Sequence, residues 1–135
     1  APHGLTPCGT VAAFIGIAGP YDFLPLREER YMRVFPEATR PESQPVAFAD
    51  GPRPPALLLH GAEDVVVHAE DTEILAARLR ENGNAVTARI YPGVNHVDII
   101  GAVSPLIARR APTRGDIAAF LDAQAAAGWP GCPEG

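Results

Sequence analysis

The chain has 135 residues, 47% of them hydrophobic and 20% charged, with a formal net charge of −5; these are the proportions of one globular domain, not of a disordered or fibrous chain. All 11 basic residues are Arg, and they cluster no further than the pair Arg109–Arg110, so the basic footprint of a nucleic-acid-binding protein is missing. No apolar run approaches the ~20 residues that span a bilayer, and residues 1–4 have neither the charged nor the apolar region of a signal peptide; with the true N-terminus expected to lie upstream, this leaves the location open, the cytoplasm being the first expectation.

Gly and Pro are abundant, at 13 and 15 residues, so loops should join short elements. Three segments read as buried strands. The first is Val11–Ala18, ended by Gly19-Pro20. A helix is expected over about 26–35, followed by a long Pro-rich loop to Pro55. The second strand is Ala56–His60, ended by Gly61. Both strands are nearly continuous apolar runs, which suit a parallel sheet covered on both faces. Residues 70–82 then carry Thr72, Leu75, Ala76 and Leu79 on one helical face, with acidic residues leading and Gly83 following. The third strand, Val86–Tyr91, alternates as an edge strand would. Ser104-Pro105 interrupts Asp98–Arg110 and is expected to start a helical segment, with Ser104 as N-cap. A last helix is expected over 114–126, with Thr113 and Asp116 as a capping box.

Strand, helix, strand, helix predicts an α/β fold with parallel pairing. Three parallel strands make a small sheet, and one edge has no partner named in the sequence. The expectation is a single partial domain over 1–135, cut from something larger.

Two loops carry chemistry. His60-Gly61-Ala62-Glu63-Asp64-Val65-Val66-Val67 directly follows a strand, where α/β sheets place their sites. Tyr91-Pro92-Gly93-Val94-Asn95-His96 directly follows the next. Asp64 and His96 are 32 residues apart, with one helix and one strand between them. That crossover sets their loops side by side. A carboxylate beside an imidazole fixes its tautomer and stabilises its cation, as a general base requires.

The pattern H-G-x-x-D-x-x-V, then helix, strand and Y-P-G-x-x-H, resembles the C-terminal half of the α/β-hydrolase fold, nearest its bacterial carboxylesterase and lipase-like members. Gly19–Leu26 and Ser43–Val46 also resemble segments of those members. The resemblance covers about residues 11–122. It implies that Asp64 is the triad acid and His96 the base of a serine hydrolase acting on small carboxylic esters, with no cofactor. It further implies that Tyr21, Phe23 and Val97 face the substrate. The nucleophile elbow G-x-S-x-G and the oxyanion loop should precede the first strand, and neither is present. The two serines, Ser43 and Ser104, have no flanking glycines. This chain alone is therefore expected to be inactive. The rival expectation is a non-catalytic or degenerate module that associates with another chain, or with itself, through the uncovered sheet edge.

Other chemistry-bearing residues have blander readings. Glu63 could be the acid only if the loop were shifted by one. His60 reads as packed and hydrogen-bonded, Asp98 as a helix cap, Asp22 as a cap of the segment after it, and His3 and His68 as surface residues. Cys8 and Cys132 read as unpaired thiols, since two cysteines make neither a disulfide framework nor a metal site. Cys8 enters a strand where a nucleophile should leave one. His60, Asp64 and His96 lack zinc-ligand spacing, so no metal is expected.

Overall fold

A computed structural model describes residues 4–133; His3 lies outside them. The elements are α1 (Pro7–Thr10), β1 (Phe14–Ile17), α2 (Glu29–Val34), β2 (Ala56–Gly61), α3 (Ala69–Glu81), β3 (Val86–Tyr91), α4 (His96–Gly101) and α5 (Thr113–Ala126), with 3₁₀ turns at Pro41–Ser43 and Pro45–Phe48. The three strands form a parallel sheet in the order β1-β2-β3.

Ile15 pairs with Leu57, and Leu57 in turn with Thr87. Every residue of the central β2 is buried. Its side chains alternate between faces, as the strand period of two demands. Leu57 and Leu59 enter one core with Ile99, Ala102 and Phe120. Ala56 and Leu58 enter the other with Leu75, Ala76 and Leu79 of α3. Full burial of such leucines contributes about 1.5–3 kcal/mol each. β3 alternates in burial and lies at one edge of the sheet.

Among the described residues, β1 pairs only with β2, which leaves its outer edge open. Phe14, at the start of β1, and Val11, before it, are exposed.

Several local expectations need correction. The first strand is shorter than the apolar run, covering only Phe14–Ile17, and before it Pro7–Thr10 form a helical turn whose Gly9 N–H is capped by the Thr6 hydroxyl. Cys8 and Cys132 are not free thiols. They form a disulfide, with Cα atoms 5.4 Å apart, that ties α1 to the segment after α5. Their sequence separation gave no sign of this closeness. Thr113 caps nothing, since Pro112 takes the N-cap position of α5. The Thr113 hydroxyl, fully buried, instead donates to the Ile99 carbonyl. No helix starts at Ser104, and residues 102–110 run as turns. Asp22 is no helix cap either: α2 begins at Glu29 with Glu28 as N-cap.

Candidate active site

The site forms where β2 and β3 end side by side. Gly61 closes β2, and a Cβ there would overlap the Val94 carbonyl. Only glycine lets the two loops meet this closely. They are then joined by backbone hydrogen bonds: Ala62 N–H donates to Tyr91 O at 2.9 Å, and Glu63 N–H to Val94 O at 3.0 Å. The junction turns Glu63 outward and Asp64 inward, leaving Asp64 only 5% exposed.

His96 is the first residue of α4. Asn95 caps that helix, its Oδ1 accepting from Asp98 N–H at 2.9 Å while its Nδ2 donates to Asp98 Oδ2 at 3.0 Å. Asp98 is thus part of the cap, but Asn95 is the N-cap residue. This reciprocal pair fixes the helix start and with it the His96 ring. Further back, Tyr91 donates to Asp116 Oδ2 of α5 at 2.5 Å, and Arg89 Nε lies 3.5 Å from the same oxygen. Burial, and then Asp116, push the Tyr91 phenol above its ordinary pKa.

The Asp64 carboxylate is divided between two tasks. Oδ1 accepts the backbone N–H groups of Val66 and Val67, both at 2.9 Å. Oδ2 lies 2.6 Å from His96 Nδ1. Burial favours the neutral acid, but the Val67 and Val66 amides and His96 outweigh it, so the pKa of Asp64 falls below the usual carboxylate value. An ionised carboxylate accepts only, so His96 Nδ1 carries a proton in this pair. Among the described residues, His96 Nε2 makes no hydrogen bond, and its side chain is 25% exposed. An imidazole protonated on Nδ1, with Nε2 open to the surface, can take a proton from a nucleophile.

His60 is packed and hydrogen-bonded, as expected. It is fully buried, with Nδ1 2.6 Å from Thr72 Oγ1, Nε2 3.0 Å from Val67 O, and Nε2 3.2 Å from Asp64 Oδ2. Asp64 Oδ2 thus has His96 as its hydrogen-bond partner and His60 as a close neighbour; among the described residues no group of three or more His, Cys, Asp or Glu could hold a metal ion.

The structure separates the three residues expected to face substrate. Tyr21 is 5% exposed and packs in the core with Leu58 and Leu75. Burial pushes its phenol pKa up to about 12. That placement overturns the expectation for Tyr21, whose aromatic ring serves the sheet instead. Phe23 stacks near Phe35, with ring centroids 5.1 Å apart. It lines a cavity of about 340 Å³ whose walls include Leu26, Tyr31, Val66 and Val67. Val97 follows His96 and is 72% exposed. Ser43 and Ser104 are engaged locally, Ser43 Oγ donating to Arg40 O and Ser104 Oγ accepting from Leu106 N–H.

A parallel sheet whose adjacent strand ends present a carboxylate and an imidazole in that chain order is that of an α/β-hydrolase. Residues 16–125 match the sequence pattern of the prolyl oligopeptidase family (peptidase S9), and the chain belongs to that family. The structure is similar to that of a thermophilic esterase from the planctomycete Thermogutta terrifontis. With propionate bound, that enzyme superimposes with a TM-score of 0.63 at 21% identity, over 92% of this chain and 45% of the esterase. Its native form gives 0.65 at 18% identity, over 87% and 43%. Its butyrate-bound form gives 0.64 at 17%, over 92% and 46%. At such identities the likeness is one of fold. The chain spans less than half the length of the esterase. No curated protein matches the chain in sequence.

Proposed function

We propose that Asp64 and His96 are the acid and base of a serine hydrolase that cleaves small carboxylic esters. The observation that carries this reading is the 2.6 Å contact of Asp64 Oδ2 with His96 Nδ1, which leaves Nε2 unpartnered. The nucleophile would be a serine from polypeptide outside these 135 residues. His96 Nε2 takes its proton as the serine oxygen attacks the ester carbonyl. The alcohol then leaves with that proton, and a water activated by the same nitrogen releases the acid. Asp64 holds the ring and stabilises the imidazolium.

Phe23 and Val97 are the side chains proposed to meet the substrate. The cavity beside Phe23 is walled by Val66 and Val67. Those residues belong to the loop that holds Asp64, so an apolar group of the ester could lie next to the reacting centre. The esterase of similar fold binds propionate and butyrate, which favours short acyl chains.

A second reading, cleavage of peptides after proline, rests on the family match. The two are separated by assaying the protein of the full reading frame with p-nitrophenyl propionate, p-nitrophenyl butyrate and a proline p-nitroanilide. Turnover of the esters alone, abolished by His96→Ala, supports the esterase. Turnover of the anilide alone moves the same pair to peptide chemistry.

The open edge of β1, with exposed Val11 and Phe14, supports association with further polypeptide or with a second copy of the chain. Sedimentation of the 135-residue chain tests this: a concentration-independent monomer would exclude self-pairing.

A further inference from the structure

We infer that His60 is a positioning residue for the acid, holding the Asp64 carboxylate in the rotamer that faces His96 by means of a tautomer fixed from α3. The inference rests on the reading of Asp64 and His96 as an acid–base pair.

Three contacts define the tautomer. Val67 O, 3.0 Å from His60 Nε2, is a carbonyl and can only accept. Nε2 therefore carries hydrogen. Nδ1 lies 2.6 Å from the Thr72 hydroxyl, which rotates to donate to it. Thr72 is fully buried in α3, so no solvent competes for Nδ1. The ring is held at both nitrogens between β2 and α3.

The Nε2–H group donates to Val67 O at 3.0 Å, and Asp64 Oδ2 lies 3.2 Å from the same nitrogen. Val67 is therefore held on both sides, its carbonyl by His60 and its N–H by Asp64 Oδ1. Val66 and Val67 N–H fix Oδ1, while His60 fixes the Val67 carbonyl and flanks Oδ2. Holding the Val67 carbonyl keeps the Val67 N–H aimed at Oδ1, and a carboxylate fixed there turns Oδ2 toward His96. A residue that only filled space would need volume at position 60, but no N–H directed at the Val67 carbonyl.

The test uses imidazole ¹⁵N–¹H NMR of the 135-residue chain, with circular dichroism to verify folding. In the wild type, His60 is expected as the Nε2–H tautomer and His96 as Nδ1–H. His60→Leu keeps apolar volume and removes the donor. It should speed solvent exchange of the His96 Nδ1 proton by about 10-fold or more and mix the His96 tautomers. His60→Gln can still donate from its amide, and should bring exchange to within about 3-fold of wild type. Thr72→Val should release the His60 tautomer and speed the same exchange with the ring still in place. If His60→Leu does not fold, the Thr72→Val and His60→Gln results decide. Wild-type exchange and tautomer at His96 in His60→Leu, or in Thr72→Val where the Leu variant fails to fold, would overturn the inference. So would a wild-type His60 found as Nδ1–H.

A second readout uses the protein of the full reading frame. There His60→Leu should lower kcat on the order of 10- to 100-fold with KM unchanged, and His60→Gln should recover most of it. An absence of hydrolysis in the wild type would refute the proposed function while leaving the tautomer result to stand or fall by itself.

Discussion

Replacing Asp64 by Asn changes one atom of the site and tests its central contact. Oδ1 accepts from Val66 and Val67 N–H at 2.9 Å each, so the amide oxygen of the variant should take that side. The amide NH₂ then replaces Oδ2 and meets His96 Nδ1, formerly 2.6 Å away, and His60 Nε2, formerly 3.2 Å away. His96 Nδ1 carries hydrogen in the native arrangement, so donor faces donor there. The lost charge-assisted bond to His96 contributes about 1.5–3 kcal/mol, and the expected loss of stability is of that size. A chain of this length has roughly 7–20 kcal/mol in hand, so the variant should still fold. His96 can relieve the clash by moving its proton to Nε2, which presents the wrong nitrogen to a nucleophile. Urea unfolding at neutral pH reads the stability, and imidazole ¹⁵N–¹H NMR reads the tautomer. A change below ~0.5 kcal/mol together with an unchanged Nδ1–H tautomer would refute the pairing.

Two other outcomes are expected. The pKa of Asp64 is lowered in the folded chain, so its contribution to stability is complete above the unfolded value of ~3.9 and is lost as pH falls through the lower folded value. Acid unfolding should therefore be shallower in the Asp64→Asn variant than in the wild type, and identical slopes would contradict the assigned hydrogen bonds. Reducing the Cys8–Cys132 disulfide, which joins residues separated by 124 positions, should lower stability by about 5 kcal/mol on the chain-entropy estimate. Unfolding curves with and without dithiothreitol measure this, and coincident curves would mean that the crosslink does not form. Because disulfides persist in oxidising compartments, a stable crosslink would also count against the cytoplasmic location expected from the sequence.

The parallel sheet was legible because its signals are local. The run Leu57-Leu58-Leu59, closed by Gly61, suited a strand buried on both faces, and the helix at 69–81 announced itself by period and by Gly83. Asp64 and His96 were legible because each directly follows a strand, and consecutive parallel strands bring such loops together. What escaped depended on contacts between distant segments. The partner of Cys8 is 124 positions away, and no pattern in either neighbourhood names it. Tyr21 looked like a site residue from its turn, yet Gly16 leaves a gap in β1 that its ring fills from the sheet's α3 side. Thr113 matched a capping box by spacing, but its hydroxyl found the Ile99 carbonyl instead. One missed feature was readable: Asn95 followed by Asp98 has the reciprocal spacing of a capping box, and it would have placed His96 at the start of a helix.

The most direct test of the esterase proposal is covalent labelling of the protein of the full reading frame with a fluorophosphonate, followed by peptide mass spectrometry. The expected result is one modified serine outside these 135 residues, within a G-x-S-x-G sequence, with labelling slowed by several orders of magnitude in His96→Ala. No adduct, or labelling equally fast without His96, would contradict the assignment of Asp64 and His96 to a serine hydrolase.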